Sequence, residues 1–235
     1  MDIKKYKKYL SPKTKSNILK IFKIVFGKPL RQISNIYEKK YNHNPQLPPE
    51  AMFGWSIVVI TAGQNKELLD QFVISAHEEL NYTNYEIIVV GPPTLDLSYF
   101  DKNIKIVHVH YREIYLWLVP GAIATKKNFG VKYAKYDKVV VSHDYIHFLP
   151  GWKKGFDHFG DFTVAQNVVL DNAGNRHRDW VTWDYPGVGV SLLPYTHEFT
   201  KYQVIGGNYF VVKRDFFLNN PMNEKLRWGE GEDID

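Results

Sequence analysis

The sequence predicts an α/β fold, an open and mostly parallel sheet flanked by helices and preceded by an N-terminal helical arm. Three observations carry this reading. Short runs rich in valine and isoleucine recur along the chain: Ser56–Thr61 (SIVVIT), Glu86–Val90 (EIIVV) and the VVV that opens Val139–Trp152. Stretches with apolar residues three or four apart lie between them. Glycine and proline mark the joints, at Ala62-Gly63 and at Gly91-Pro92-Pro93.

The arm comes first. Ser16 is placed to cap a helix carrying Ile18, Leu19, Ile21, Phe22, Ile24, Val25 and Phe26, and Gly27 to Pro29 predicts its end. Leu30 to Tyr41 reads as a second amphipathic helix with Ile33, Ile36 and Tyr37 on one side. The proline-rich Asn42 to Pro49 then forms a linker, which divides the chain into an arm over 1–50 and a domain over 51–235. In the domain, SIVVIT is a buried strand, and Lys66 to Leu80 follows as a helix turning Leu68, Leu69, Phe72, Val73, Ala76 and Leu80 inward. EIIVV and Lys105 to Val109 are the next strands, Ala122 to Ala134 a second helix, and the VVV run a fourth strand. This order predicts parallel neighbours, with ligands at the carboxyl ends of the strands.

Composition bounds the function. The chain has 235 residues, 44% of them hydrophobic and 15% aromatic, enough for a sizeable core. Without cysteine there is no disulfide framework, thiolate metal site or thiol nucleophile, which fits a reducing, cytoplasmic setting. No apolar run is long enough to span a bilayer. Residues 1–50 hold 12 Lys/Arg against Asp2, Glu38 and Glu50, whereas the remainder holds 18 against 22 Asp/Glu. Basicity therefore belongs to the arm, which disfavours nucleic acid as a partner of the main body. A basic arm with aromatic residues suits the anionic inner face of a membrane; packing on the domain or on another protomer stays equally open.

Two clusters carry candidate chemistry. The fourth strand ends in Ser142, His143 and Asp144, and far downstream Trp228–Asp235 (WGEGEDID) gathers Glu230, Glu232, Asp233 and Asp235 behind a tryptophan. An Asx-type turn and a solvated acidic tail are the plain alternatives. Neither G-x-G-x-x-G nor G-x-x-x-x-G-K-[ST] occurs, so a nucleotide has to be held without a glycine-rich phosphate loop. A zinc site from His143, His177 and His197 lacks any supporting H-E-x-x-H spacing. Gly206 and Gly207 stand mid-run between QVI and YFVV, which predicts a bulge or a close approach. Asp171 to Tyr185, polar and tryptophan-bearing, reads as a long recognition loop.

SIVVIT, then KKNFGVKYA before VVVSHDYIHFLPGW, then VIGGNYFVVKRDFF and WGEGEDID, in that order, resemble the nucleotide-sugar glycosyltransferases of the GT-A fold, family 2-like. The last two elements are also similar to those of galactosyl- and N-acetylgalactosaminyltransferases. The resemblance covers roughly Trp55 to Asp235. It implies an inverting transfer from a nucleotide-diphosphate donor, a UDP-sugar first, to a hydroxyl of a glycan or glycolipid acceptor. Asp144 then stands for the surviving carboxylate of an Asp-x-Asp metal motif, with Mn²⁺ or Mg²⁺ as the divalent cofactor. Asp233, beside Glu232, is implied as general base. Thr61, Ala62, Gly63, Asn65, Lys127, Asn128 and His143 are implied on the nucleotide side, and Gly206, Gly207, Asn208, Trp228 and Glu230 on the sugar and acceptor side. The family's acidic residues after the second strand are replaced here by Gly91-Pro92-Pro93, and the resemblance implies further helices beyond Asp235. Three other readings remain: a sugar-nucleotide or glycan-binding module without catalysis, a sugar nucleotidyltransferase, and a lipid or nucleic-acid adaptor that works through the basic arm.

Overall fold

The computed structural model describes residues 12–42, 45–46, 50–113, 121–185, 189–196 and 203–227, with side chains from residue 27 onward except at 183–185. The chain divides into two compact units, Met1–His43 with Arg112–Gly121, and Asn44–Tyr111 with Ala122–Asp235.

The first unit is built on α1 (Pro12–Tyr41), one continuous helix instead of two. Ser16 lies inside it, and Gly27 to Pro29 do not end it. Pro29 forfeits one main-chain hydrogen bond, and the helical apolar pattern resumes on both sides of it. The buried side also differs from the predicted one. Ser34 and Glu38 are buried, joined by a 2.7 Å hydrogen bond from the Ser34 hydroxyl, while Ile33 and Ile36 are exposed. Asn42 clasps the main chain of Arg112, donating to its carbonyl (2.9 Å) and accepting from its N–H (2.7 Å). No described helix is long and apolar enough to cross a membrane.

In the second unit, strands β1 (Met52–Ile60), β2 (Tyr85–Gly91), β3 (Ile106–His110) and β4 (Tyr136–His143) alternate with helices α2 (Lys66–Leu80) and α3 (Ile123–Val131). Helix α4 (Trp152–Phe159) and strands β5 (Val164–Ala165), β6 (Trp180–Tyr185), β7 (Gly189–Leu192), β8 (Gln203–Ile205) and β9 (Tyr209–Lys213) follow, ending in α5 (Arg214–Asn219). The main sheet has the order β3-β2-β1-β4-β9-β5. Its first four strands are parallel, and β9 runs antiparallel to both its neighbours. A smaller antiparallel sheet has the order β7-β6-β8.

Both faces of the main sheet are covered, which is why its central strands are unbroken apolar runs. Along β1, Ile57 and Val59 pack with Leu69, Phe72 and Val73 of α2 and with Trp152 and Phe156 of α4. Val58 and Ile60 face the other way, toward Phe129 of α3 and Phe217 of α5. Helix α3 sits close because residue 130 is glycine: a Cβ there would lie 2.4 Å from Val58 Cγ1. The buried Glu86 carboxylate accepts through Oε1 from Ser56 Oγ (2.9 Å) and from Lys135 N (2.8 Å), while Oε2, without a hydrogen-bond partner, is offset only by the Lys135 ammonium 3.1 Å away.

Two expectations change here. Gly206 and Gly207 are not inside one strand: β8 ends at Ile205 in the smaller sheet, and β9 begins at Tyr209 in the larger. Gly206 is required by proximity, since a Cβ would stand 2.1 Å from the Arg178 carbonyl oxygen. Asp171 to Tyr185 is not a long loop either. Asp171 Oδ1 accepts from the N–H groups of Ala173 and Asn175 to make a tight turn, after which the chain enters β6. The buried Asp179 is held by Arg176 (2.7 Å), the Tyr195 hydroxyl (2.6 Å) and Trp180 N (2.7 Å). Burial works to raise its pKa, but the Arg176 and Tyr195 hydrogen bonds prevail and hold it below the usual carboxylate range. The polar residues of this segment tie down the smaller sheet.

Candidate functional site

The carboxyl ends of β1 and β4 lie side by side, Ile60 opposite His143 in parallel register. One residue further on, Thr61 Oγ1 donates to Asp144 Oδ2 at 2.6 Å. The same hydroxyl accepts from Gly63 N at 2.9 Å. This three-membered chain fixes the first turn of the domain to the polar exit of β4. Gly63 has φ +72°, a left-handed conformation that favours glycine, and its Cα faces Pro92 at the end of β2. Asp144 is half-buried, and its Oδ1 has no hydrogen-bond partner among the described residues.

The third wall comes from the passage between the two sheets. His143 N donates to Asn208 O at 3.0 Å, and Lys127 Nζ donates to the Gly207 carbonyl. Lys126 and Lys127 are both buried, on the α3 turn that packs beneath. Asn208 Oδ1 is buried without a hydrogen-bond partner. Tyr209 is anchored by Trp152 Nε1 at 2.6 Å, and burial pushes its phenol far up, so it stays neutral.

Burial, with the ammonium groups of Lys127 and then Lys126 nearby, pushes the His143 imidazole down to about 3. His143 is therefore neutral throughout the physiological range, stacked on Tyr145 at 5.2 Å. A histidine whose folded pKa lies below its unfolded value near 6.5 stabilises the fold fully above that value and loses this contribution as pH falls toward 3. Between pH 6.5 and 5 the chain thus loses stability on acidification, and His143→Gln makes the urea midpoint flatter across that window. His108, whose pKa is lowered by burial and by His110, contributes a residual slope of the same sign. An unchanged slope in His143→Gln would contradict a neutral His143.

The sequence-nominated residues fall into three sets. Thr61, Gly63, Lys127, His143, Asp144, Gly207 and Asn208 converge, and Gly206 adjoins them. Ala62 is half-buried in the same turn, whereas Asn65 is exposed at the start of α2 and makes no side-chain capping bond. Asn128 is committed elsewhere: its amide donates to Met222 O (2.8 Å) and Glu224 (3.1 Å) and accepts from Met222 N (3.0 Å). Trp228, Glu230, Glu232 and Asp233 lie outside the described residues, as does His197. Tyr145 and Gln166, which donates to Tyr209 O at 2.6 Å, were not nominated. Tyr145 lies within the His-Asp-Tyr run itself; Gln166 left no signal, because its place depends on β5 pairing with β9.

A divalent cation prefers six or more oxygen ligands or near-octahedral geometry. Among the described residues no three His, Asp or Glu side chains gather to hold one. The Asp144 carboxylate, with Oδ1 open, fits such an ion only as one ligand among oxygens supplied by phosphate and water.

No protein-family profile matches the chain, and no curated protein matches it by sequence. Solved structures do match. TarS 1-349 from S. aureus superposes with TM-score 0.55 at 12% identity over 77% of this chain and 53% of its own. The same protein in complex with UDP-GlcNAc gives TM-score 0.55 at 15% identity, covering 77% and 51%, and its complex with UDP gives 0.53 at 11%. The chain has the GT-A fold of nucleotide-sugar glycosyltransferases. It spans about half the length of these solved chains.

Proposed function

We propose that this chain is a glycosyltransferase that moves a sugar from a nucleoside-diphosphate donor to a hydroxyl of a glycan or glycolipid, with inversion. The observation that carries the reading is the Gly63–Thr61–Asp144 chain beside Lys127 and the neutral His143, at the carboxyl ends of two adjacent parallel strands in a GT-A frame. TarS binds UDP and UDP-GlcNAc at this fold, which puts a UDP-sugar first.

The chemistry asks for compensation of the charge that grows on the departing diphosphate. Lys126 and Lys127 supply a positive potential from a buried turn, where it is little screened. Lys127 is aimed by its bond to Gly207 O, and His143 adds a polar but uncharged contact. Asp144 is held in one orientation by Thr61 and presents its other oxygen outward. A bound Mn²⁺ or Mg²⁺ would add electrophilic stabilisation of the same phosphate oxygens through Asp144. Asp233, in the WGEGEDID element, is proposed as the base that takes the acceptor proton, with Glu232 beside it and Trp228 offering a flat face to the sugar. The single carboxylate at 142–144 also favours a second reading, a sugar-nucleotide-binding module without turnover.

The deciding measurement is thermal stabilisation by UDP, GDP, CDP and dTDP, each with Mn²⁺, Mg²⁺ or chelator, followed by product analysis with the sugar donor of the best nucleotide. UDP raises the midpoint by several degrees, as ligand binding to the folded state alone demands. Asp233→Asn keeps that shift and lowers transfer by roughly 10²- to 10⁴-fold, the range of a lost general base. Transfer undiminished in Asp233→Asn would remove the assigned base; a shift without any product would select the binding module.

A further inference from the structure

The carboxyl-end site does not use the opposite end of the sheet, where a second concavity lies. A cleft of about 520 Å³ is lined by Phe53 and Trp55 of β1, the Asn81–Asn84 turn before β2, Lys138 of β4, and Lys153 and Asp157 of α4. From Thr61 back to Gly54 is seven residues of extended chain, about 23 Å at roughly 3.3 Å per residue. The two sites are thus separate places on one domain.

Its lining combines three kinds of recognition group. Phe53 is 78% exposed and Tyr82 93% exposed, so two flat aromatic surfaces stand in water without a packing partner on their outer sides. The Asn81 side chain makes no hydrogen bond to a described residue, and Asn84 makes only a long one of 3.5 Å to Phe53 O. The Lys138 ammonium sits 4.6 Å from the Phe53 ring centre and 5.4 Å from that of Trp55, and forms no ion pair with any described carboxylate. The other charges are already matched, since Lys153 pairs with Asp157. The cleft therefore presents one ammonium group without a direct ion pair, between aromatic walls and side-chain amides.

We propose that this cleft binds an acidic glycan segment: the apolar face of a sugar ring lies on Phe53 and Tyr82, its hydroxyls meet Asn81 and Asn84, and its carboxylate or phosphate meets Lys138. Each group has a matching need. Aromatic surfaces left in water are stabilised by covering, and a charge-assisted bond to Lys138 is of the strong kind. A membrane surface is less well matched, because the amides and the charge line a concavity instead of projecting from it. The rigid backbone supports a formed site: Gly54 N is held by Asp137 Oδ1 at 2.8 Å, and a Cβ at Gly54 would lie 2.5 Å from Asn84 O. The proposal does not require sugar transfer at the other end; if transfer occurs there, this cleft is placed to hold a distant part of the acceptor.

The test is direct binding to the full chain by titration calorimetry or protein-observed NMR, with oligogalacturonate as acidic probe, malto-oligosaccharide as neutral probe and phosphatidylglycerol vesicles as membrane probe. Oligogalacturonate binds more tightly than malto-oligosaccharide. Tyr82→Ala, a change at an almost fully exposed position, weakens it about tenfold, and Lys138→Ala abolishes the preference for acid, about tenfold or more for one charge-assisted bond. The urea midpoint of each variant serves as the independent readout of folding, and any stabilisation by UDP at the carboxyl-end site is unchanged by both substitutions, so loss of oligogalacturonate binding is distinguishable from failure of the transferase reading. Absence of oligogalacturonate binding, binding indifferent to both variants, or binding to vesicles alone would each overturn the proposal.

Discussion

Asp144→Asn lowers sugar transfer by about 10²-fold or more and leaves the fold nearly as stable as before. The argument is geometric. Asparagine still offers an oxygen to Thr61 Oγ1, which now lies 2.6 Å from Asp144 Oδ2, so the tie between the ends of β1 and β4 survives. What disappears is the negative charge on the outward side. If that oxygen helps hold a cation against the diphosphate, its contribution is several kcal/mol, and each 1.36 kcal/mol is a factor of ten in rate. The check is turnover with the nucleotide sugar selected by the stabilisation panel, beside the unfolding midpoint of each variant. Full turnover in Asp144→Asn would show that this residue positions Thr61 and does nothing to the donor. Loss of both turnover and stability would assign it a structural role instead.

Gly130→Ala destabilises the fold by about 1–3 kcal/mol, although alanine is the better helix former by roughly 1 kcal/mol. The added methyl would lie 2.4 Å from Val58 Cγ1 and 2.7 Å from Val90 Cγ2. Both valines are fully buried and stiff at χ1, so neither can step aside. The matched control is Gly155→Ala in α4, where nothing lies within 4 Å of the new Cβ. That change gains about 0.5–1 kcal/mol from helix propensity alone. Urea unfolding of the pair separates the two effects, and a stabilised Gly130→Ala would mean that α3 does not sit this close to the sheet.

The sheet was legible because both its faces are covered. Runs such as SIVVIT and EIIVV cannot be satisfied at a surface, and α2 fell on Lys66–Leu80 as its spacing predicts. Less legible was everything decided by distant partners. Gly206 reads as a bulge or a close approach from its neighbours alone; only the fold names what it approaches, the Arg178 carbonyl 28 residues away in sequence. Asp171–Tyr185 looks like a recognition loop because its polar residues outnumber its apolar ones, yet Asp179, Arg176 and Tyr195 spend that polarity on each other. At the site the pattern is similar. His143 and Asp144 announce themselves at a strand end, whereas the bond from Thr61 to Asp144 spans 83 residues and follows only from parallel register. Asn128 shows the converse: a residue implied by motif whose amide is consumed by Met222. In the arm, local breakers misled, since a glycine and a proline two residues apart did not outweigh the helical pattern on either side.

The crossing from β8 into β9 has a consequence for anyone who wishes to re-engineer this chain. The smaller sheet resembles a detachable insert, a cassette to be exchanged for another to alter selectivity. Its last strand, however, leads directly into the turn that receives His143 N and Lys127 Nζ, and Gly206 in that turn is wedged under Arg178. A graft cut at residues 170 and 205 would sever the wedge from the turn it holds. A workable exchange carries residues 206–208 with it, together with a donor backbone that passes equally close.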